Sequence, residues 1–176
     1  EPGQEQANSR LELVPEPDKA LRLEYEKNQA FMEMSTDSLW EYLVFQKGGC
    51  LTGGQYVRED HWHDRNCVIT AAKEWKIFFH QPQEELTDLL LSKLPDTATT
   101  RIHTCPYFMA NEGEAAVYAL QQIYNTNWFD FKIFQPYRDS LVNGVSDTLQ
   151  ERLQAILQQN DQRALLQSYW RKQAEN

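Results

Sequence analysis

Histidines, cysteines and an acid gather in one part of this chain. His61, Trp62, His63 and Asp64 run in succession, with Cys67 just beyond them and Cys50 upstream. These residue types could do two kinds of chemistry. The first is metal binding. His61 and His63 are two apart, which points both the same way only on a strand, whereas His63 and Cys67 are four apart, which suits a helix. The three therefore cannot all converge from one regular element. His103 and Cys105 would complete enough nitrogen and sulfur donors for tetrahedral zinc, but neither pair has a zinc-motif spacing. The second chemistry is a nucleophilic thiol. Cys67 lies where a helix could begin and lower its pKa, and His63 is within a turn as a base. No Gly-x-Ser-x-Gly elbow, His-Glu-x-x-His pair or dinucleotide fingerprint occurs in the sequence. The plainer reading makes His61 and His63 surface residues beside Trp62, and His103 a hydrogen-bonded core residue. No metal or cofactor is assigned.

The backbone around these residues is unusual. Four of the seven glycines, Gly48, Gly49, Gly53 and Gly54, lie close together and lead into this cluster. Gly48 to Asn66 carries no helical stripe, and loops longer than about 12–15 residues in compact domains are usually functional or disordered. The stretch lacks the Lys-Ser/Thr of a phosphate loop. Tyr56, His61, Trp62, His63 and Asp64 are accordingly the expected binding residues. Cys50 and Cys67 flank them. A disulfide there would close a loop of about 18 residues and add about 3 kcal/mol in the chain-entropy account. Three reduced, buried thiols are the other reading of the odd cysteine count. Elsewhere, Glu112 and Glu114 flank Gly113, and they read as the charged first turn of a helix rather than a catalytic pair.

The elements that must hold this stretch read as helices, because apolar residues recur at helical spacing and period-two alternation is scarce. Asp18–Met34 reads as a first helix. Ser35 to Ser38 offer N-caps to Leu39–Phe45, which Gly48-Gly49 stops. Val68, Ala72, Trp75 and Phe79 form a stripe ending before Pro82, which opens a helix carrying Leu86, Leu89, Leu90 and Leu94. Asn111 to Glu114 begins another, striped by Val117, Leu120, Ile123 and Tyr124 and ended by Asn125-Thr-Asn127. Ser146 caps a helix with Leu149, Leu153, Ile156 and Leu157, and Leu165, Leu166, Tyr169 and Trp170 supply the last apolar face. Arg101–Phe108 alone has a β-like character, and the aromatic run Asn127–Tyr137 reads as a buried connector. The expected fold is all-α, an irregular bundle or stacked helical hairpins of six or seven helices with one long Gly-rich loop. Val68, Trp75, Phe79, Leu90, Val117, Leu120, Leu153 and Ile156 are the expected core. Residues 1–17 read as a polar N-terminal arm and 18–176 as a single helical domain.

The chain has 176 residues, 26 acidic against 17 basic, and a net charge of −9. That balance argues against nucleic-acid binding, which depends on basic residues neutralising phosphates. Its apolar runs are far shorter than the roughly 20 residues of a membrane span. It begins at Glu1, with neither Met nor a signal-peptide pattern. This suits a periplasmic or secreted protein whose leader has been removed, and equally a trimmed sequence. The function expected is a non-catalytic helical interaction domain, an inhibitor or immunity-type binder of a basic partner protein. The alternatives are a small metal- or thiol-dependent hydrolase using His61, His63, Asp64 and Cys67, and an accessory protein of the bacterial envelope.

Overall fold

A computed structural model describes residues 19–51, 72–104, 108–139 and 147–175. The chain divides into two units, Glu1–Glu33 and Met34–Asn176. In the first, helix α1 (Lys19–Glu33) spans the range its apolar spacing predicts, and Met32 stands 70% exposed on it.

The second unit is mostly helical, with a small sheet. Helix α2 (Thr36–Glu41) starts at Ser35, whose Oγ accepts the Ser38 N–H at 3.2 Å. A π-helical turn, Tyr42–Lys47, continues it to Gly48 and the two-residue strand β1 (Gly49–Cys50). Helices α3 (Lys73–Phe79) and α4 (Gln83–Lys93) follow, then strands β2 (Thr99–Thr104) and β3 (Phe108–Asn111). Helix α5 (Glu112–Tyr124) is capped by the Asn111 side chain at one end and by left-handed Asn125 at the other. A 3₁₀ turn (Trp128–Asp130) leads to α6 (Gln135–Asp139), α7 (Asp147–Gln158) and α8 (Asn160–Ala174).

The sheet corrects the expectation that helix alone builds the fold. Its order is β1-β2-β3, with β1 parallel and β3 antiparallel to β2. Strand β2 does alternate, but its inward residues are Thr100, Ile102 and Thr104, so hydropathy shows no period of two. Thr100 is affordable inside because its Oγ1 donates to the Ala110 carbonyl at 2.7 Å and accepts the Ile102 N–H at 3.0 Å. The same alternation turns Arg101 and His103 outward, so His103 is exposed rather than a core residue.

Helix α5 is the central element, packed on by α4, α7, α8 and both longer strands. Every residue from Glu112 to Gln121 is buried, which an amphipathic stripe does not describe. Its start is wedged under the turn after α4: the Gly113 and Glu112 N–H groups donate to the Asp96 and Ala98 carbonyls, each at 2.9 Å. A Cβ on Gly113 would lie 2.4 Å from the Leu94 carbonyl oxygen, so only glycine permits this approach.

Trp75, Leu90, Val117, Leu120, Leu153 and Ile156 are buried as expected. Phe79 is not fully buried and Phe78 takes the core position, because the described helix begins at Lys73 and sets Trp75 and Phe78 on its inner face. Phe78 lies 5.4 Å from Trp40 and 6.1 Å from Trp75 between ring centres. The aromatic connector buries Trp128, Phe129, Phe131 and Phe134 but leaves Ile133 48% exposed. The expected arm 1–17, Val68 and Ser146 lie outside the described residues.

Candidate functional site

The expected binding residues Tyr56, His61, Trp62, His63 and Asp64 lie outside the described residues, as do Cys67 and Cys105. The structure does describe both ends of the stretch that carries the first six. The π-helical turn sets the geometry of the upstream end. Its wider winding closes with the Gly48 N–H donating to the Leu43 carbonyl at 2.8 Å, and such turns are rare and often lie at functional sites. Gly48 has φ of 71°, and a Cβ there would come within 2.5 Å of the Arg101 carbonyl oxygen. Glycine is therefore required where the turn runs onto β2, and at least this glycine has a structural task. Next to it, Gly49 and Cys50 pair with Ile102 and His103, and the Leu51 N–H donates to the His103 carbonyl at 3.0 Å.

The downstream end returns to the same place. The Trp75 indole N–H donates to the Gly48 carbonyl at 3.2 Å, and Glu74 pairs with Lys47 at 3.5 Å. Arg101 adds a hydrogen bond from Nη1 to the Gln46 carbonyl at 2.9 Å. Lys47 and Gly48 are thus tied to Glu74 and Trp75 beside β1, so the two ends of the intervening stretch are held together. His103, the strand partner of Cys50, stands exposed there.

Sequence reasoning missed the ionisable groups whose surroundings are most altered. Glu112 and Glu114 form the acidic first turn of α5, as their spacing predicts, but they are 6% and 0% exposed. Burial pushes the Glu112 carboxyl above the ordinary range, held back by the Trp40 indole N–H at 3.0 Å and by Lys93 at 3.8 Å. Burial opposes the Lys93 charge, but Asp37 at 2.9 Å, with Glu112 and Glu41, raises its pKa above the usual lysine value. This chain of charges joins α2, α4 and α5. Thr36 adds another tie between α2 and α4 by donating from its Oγ1 to Glu85.

Glu114 faces the other way. Its Oε1 accepts the Tyr118 hydroxyl at 2.5 Å and its Oε2 the Gln154 amide at 3.0 Å, with Gln150 a further donor. Burial raises its pKa, and those hydrogen bonds only moderate the rise. No sequence signal distinguishes these two glutamates from solvated ones, because Glu-Gly-Glu at a helix start is ordinary for an exposed turn.

A surface hollow of about 460 Å³ lies among α4, the end of α5 and α8, lined by Glu84, Thr87, Asp88, Tyr124, Arg171 and Glu175. Thr87 donates its hydroxyl proton to the Gln83 carbonyl at 2.7 Å, so Tyr124 must be the donor in their 2.5 Å contact. Arg171 reaches Asp88 at 3.2 Å as an exposed pair. Among the described residues, no group of three His, Cys, Asp or Glu is placed to hold a metal ion, and no helix is long and apolar enough to cross a membrane. No family model, curated protein or solved structure matches the chain.

Proposed function

We propose that the chain is a non-catalytic helical interaction domain, built as an irregular bundle, that binds a basic partner protein through the stretch beyond Gly48. The observation that carries this reading is that the two ends of that stretch are held together. A segment bearing Tyr56, His61, Trp62, His63 and Asp64 enters and leaves at one point, pinned by the Trp75–Gly48 hydrogen bond and the Lys47–Glu74 pair. Segments whose two ends are held together on a rigid scaffold are common carriers of recognition. Tyrosine and tryptophan supply large contact area at low entropic cost. The charge of −9 favours a basic partner over a nucleic acid.

The described ionisable groups with displaced pKa values fit a non-catalytic role. Lys93, Glu112 and Glu114 are each engaged with neighbouring helices, and none of them lines the hollow among α4, α5 and α8. Altered titration usually points to a site, but here it is accounted for by helix packing.

The test replaces Trp62 by a photo-crosslinking amino acid, with Ile133, exposed on the connector, as the control position. A partner captured at position 62 and not at 133 is then purified. Trp62→Ala should weaken its binding by about 1 kcal/mol or more while leaving unfolding unchanged. Unfolding by Trp62→Ala with unaltered affinity per folded molecule would make Trp62 a core residue. Stoichiometric zinc lost in His63→Ala would favour the hydrolase instead.

A further inference from the structure

The cluster around Glu114 does work that neither the interaction reading nor the surface hollows require. A carboxyl group with 0% exposure sits between α5 and α7, and the partners it meets are neutral donors: Tyr118 on its own helix, and Gln154 and Gln150 on α7. We infer that this cluster is a proton-linked joint, in which a proton held on Glu114 tightens the docking of α7 on α5 and its loss loosens it.

The facing groups support this. Tyr118 is the titratable neighbour on α5 itself. Gln150 and Gln154 on α7 carry no charge. At the end of β3, Asn111 accepts the Glu114 N–H at 2.8 Å through Oδ1. On α4, Lys93 reaches Glu112 rather than Glu114, and the buried residues of that helix are Leu86, Thr87, Leu90 and Leu91. The buried residues of β2 and α8, which also pack on α5, are Thr100, Ile102, Thr104, Leu166 and Trp170. An anion at this point has dipoles and the helix N-terminus to stabilise it, but among the described residues no charged group acts on it. The neutral acid avoids the cost of burying a charge. It needs one acceptor, which Gln154 would provide if its amide, now donating through Nε2, rotated to present its oxygen.

The complete burial of the carboxyl sets the direction, and its raised pKa agrees. Between the unfolded and folded values, the folded chain keeps a proton that the unfolded chain has released, so stability falls as pH rises through that window. The contribution is complete below the unfolded carboxylate value, and the loss is complete above the folded one. One proton changes the opening equilibrium by at most about tenfold per pH unit.

The experiment uses the full chain, following amide exchange in α7 between about pH 4 and pH 8, corrected for intrinsic exchange, together with carbon NMR of the glutamate carboxyls. In the wild type, α7 protection should fall as pH rises, by up to about tenfold per unit. Glu114→Gln should flatten the α7 dependence. If that variant does not fold, the wild-type carboxyl titration still decides. A Glu114 carboxyl titrating in the ordinary range overturns the proposal, as does an α7 slope unchanged in Glu114→Gln.

Discussion

Gly113 shows how one absent side chain orders its neighbourhood. Flanked by two buried carboxylates, it lets the first turn of α5 rest on the Leu94 and Asp96 carbonyls, where an added Cβ would lie 2.4 Å and 3.1 Å away from their oxygens. Glu112 is thereby carried to Trp40 and Lys93, while Glu114 turns toward α7. Two effects oppose each other in Gly113→Ala. Helix propensity favours alanine by about 1 kcal/mol, whereas forcing the turn away from a backbone oxygen costs about 1–3 kcal/mol and misaligns both carboxylates. The second should win. Urea unfolding is expected to show a lower midpoint at unchanged slope, and a more stable variant would mean that the close approach is not there. The sequence made the helix start legible through Asn111 but could not show the burial. Glu-Gly-Glu has the same appearance on a solvated turn, and only the packing of α4 and α7 distinguishes the two.

At the scale of elements, local signals were readable and long-range ones were not. Ser35, Asn111 and Asn125 bound helices through bonds or backbone angles made within a few residues, and each lies within a stretch whose residue types mark a boundary. Strand β2 shows in the sequence only a β-like character, because two of its three inward residues are threonines, and the Ala110 carbonyl that satisfies Thr100 is a partner that sequence cannot reveal. The α3 stripe was legible as a pattern and misread in register. Trp75 and Phe78 face inward, and Phe79 borders a hollow of about 320 Å³ beside Lys76 and His80. The two phenylalanines therefore separate the readings. Phe78→Ala, at a site 0% exposed, should cost about 3–5 kcal/mol, and Phe79→Ala less than half as much. Chemical denaturation of both variants measures this contrast, and equal losses would restore the stripe as first read.

For the whole molecule, charge decides more than shape. A surplus of nine negative charges on 176 residues creates a field that extends about 10 Å into solvent at 0.1 M salt, and about 3 Å at 1 M. On the described surface, Glu84, Asp88 and Glu175 border one hollow, with Arg171 tied to Asp88. If the partner is basic, this field guides the encounter, while the aromatic and ionisable side chains beyond Gly48 hold the complex once formed. Those contributions separate kinetically, since steering acts on association and local contacts act on dissociation. Raising salt from about 0.05 M to about 0.5 M should therefore lower the association rate by roughly tenfold and leave dissociation nearly constant. Trp62→Ala should do the reverse, speeding dissociation at every salt concentration. Surface plasmon resonance with the captured partner measures both rates. An association rate indifferent to salt would mean that the acidic surface plays no part in recognition, and the basic-partner reading would fall even if Trp62 proved to be a contact.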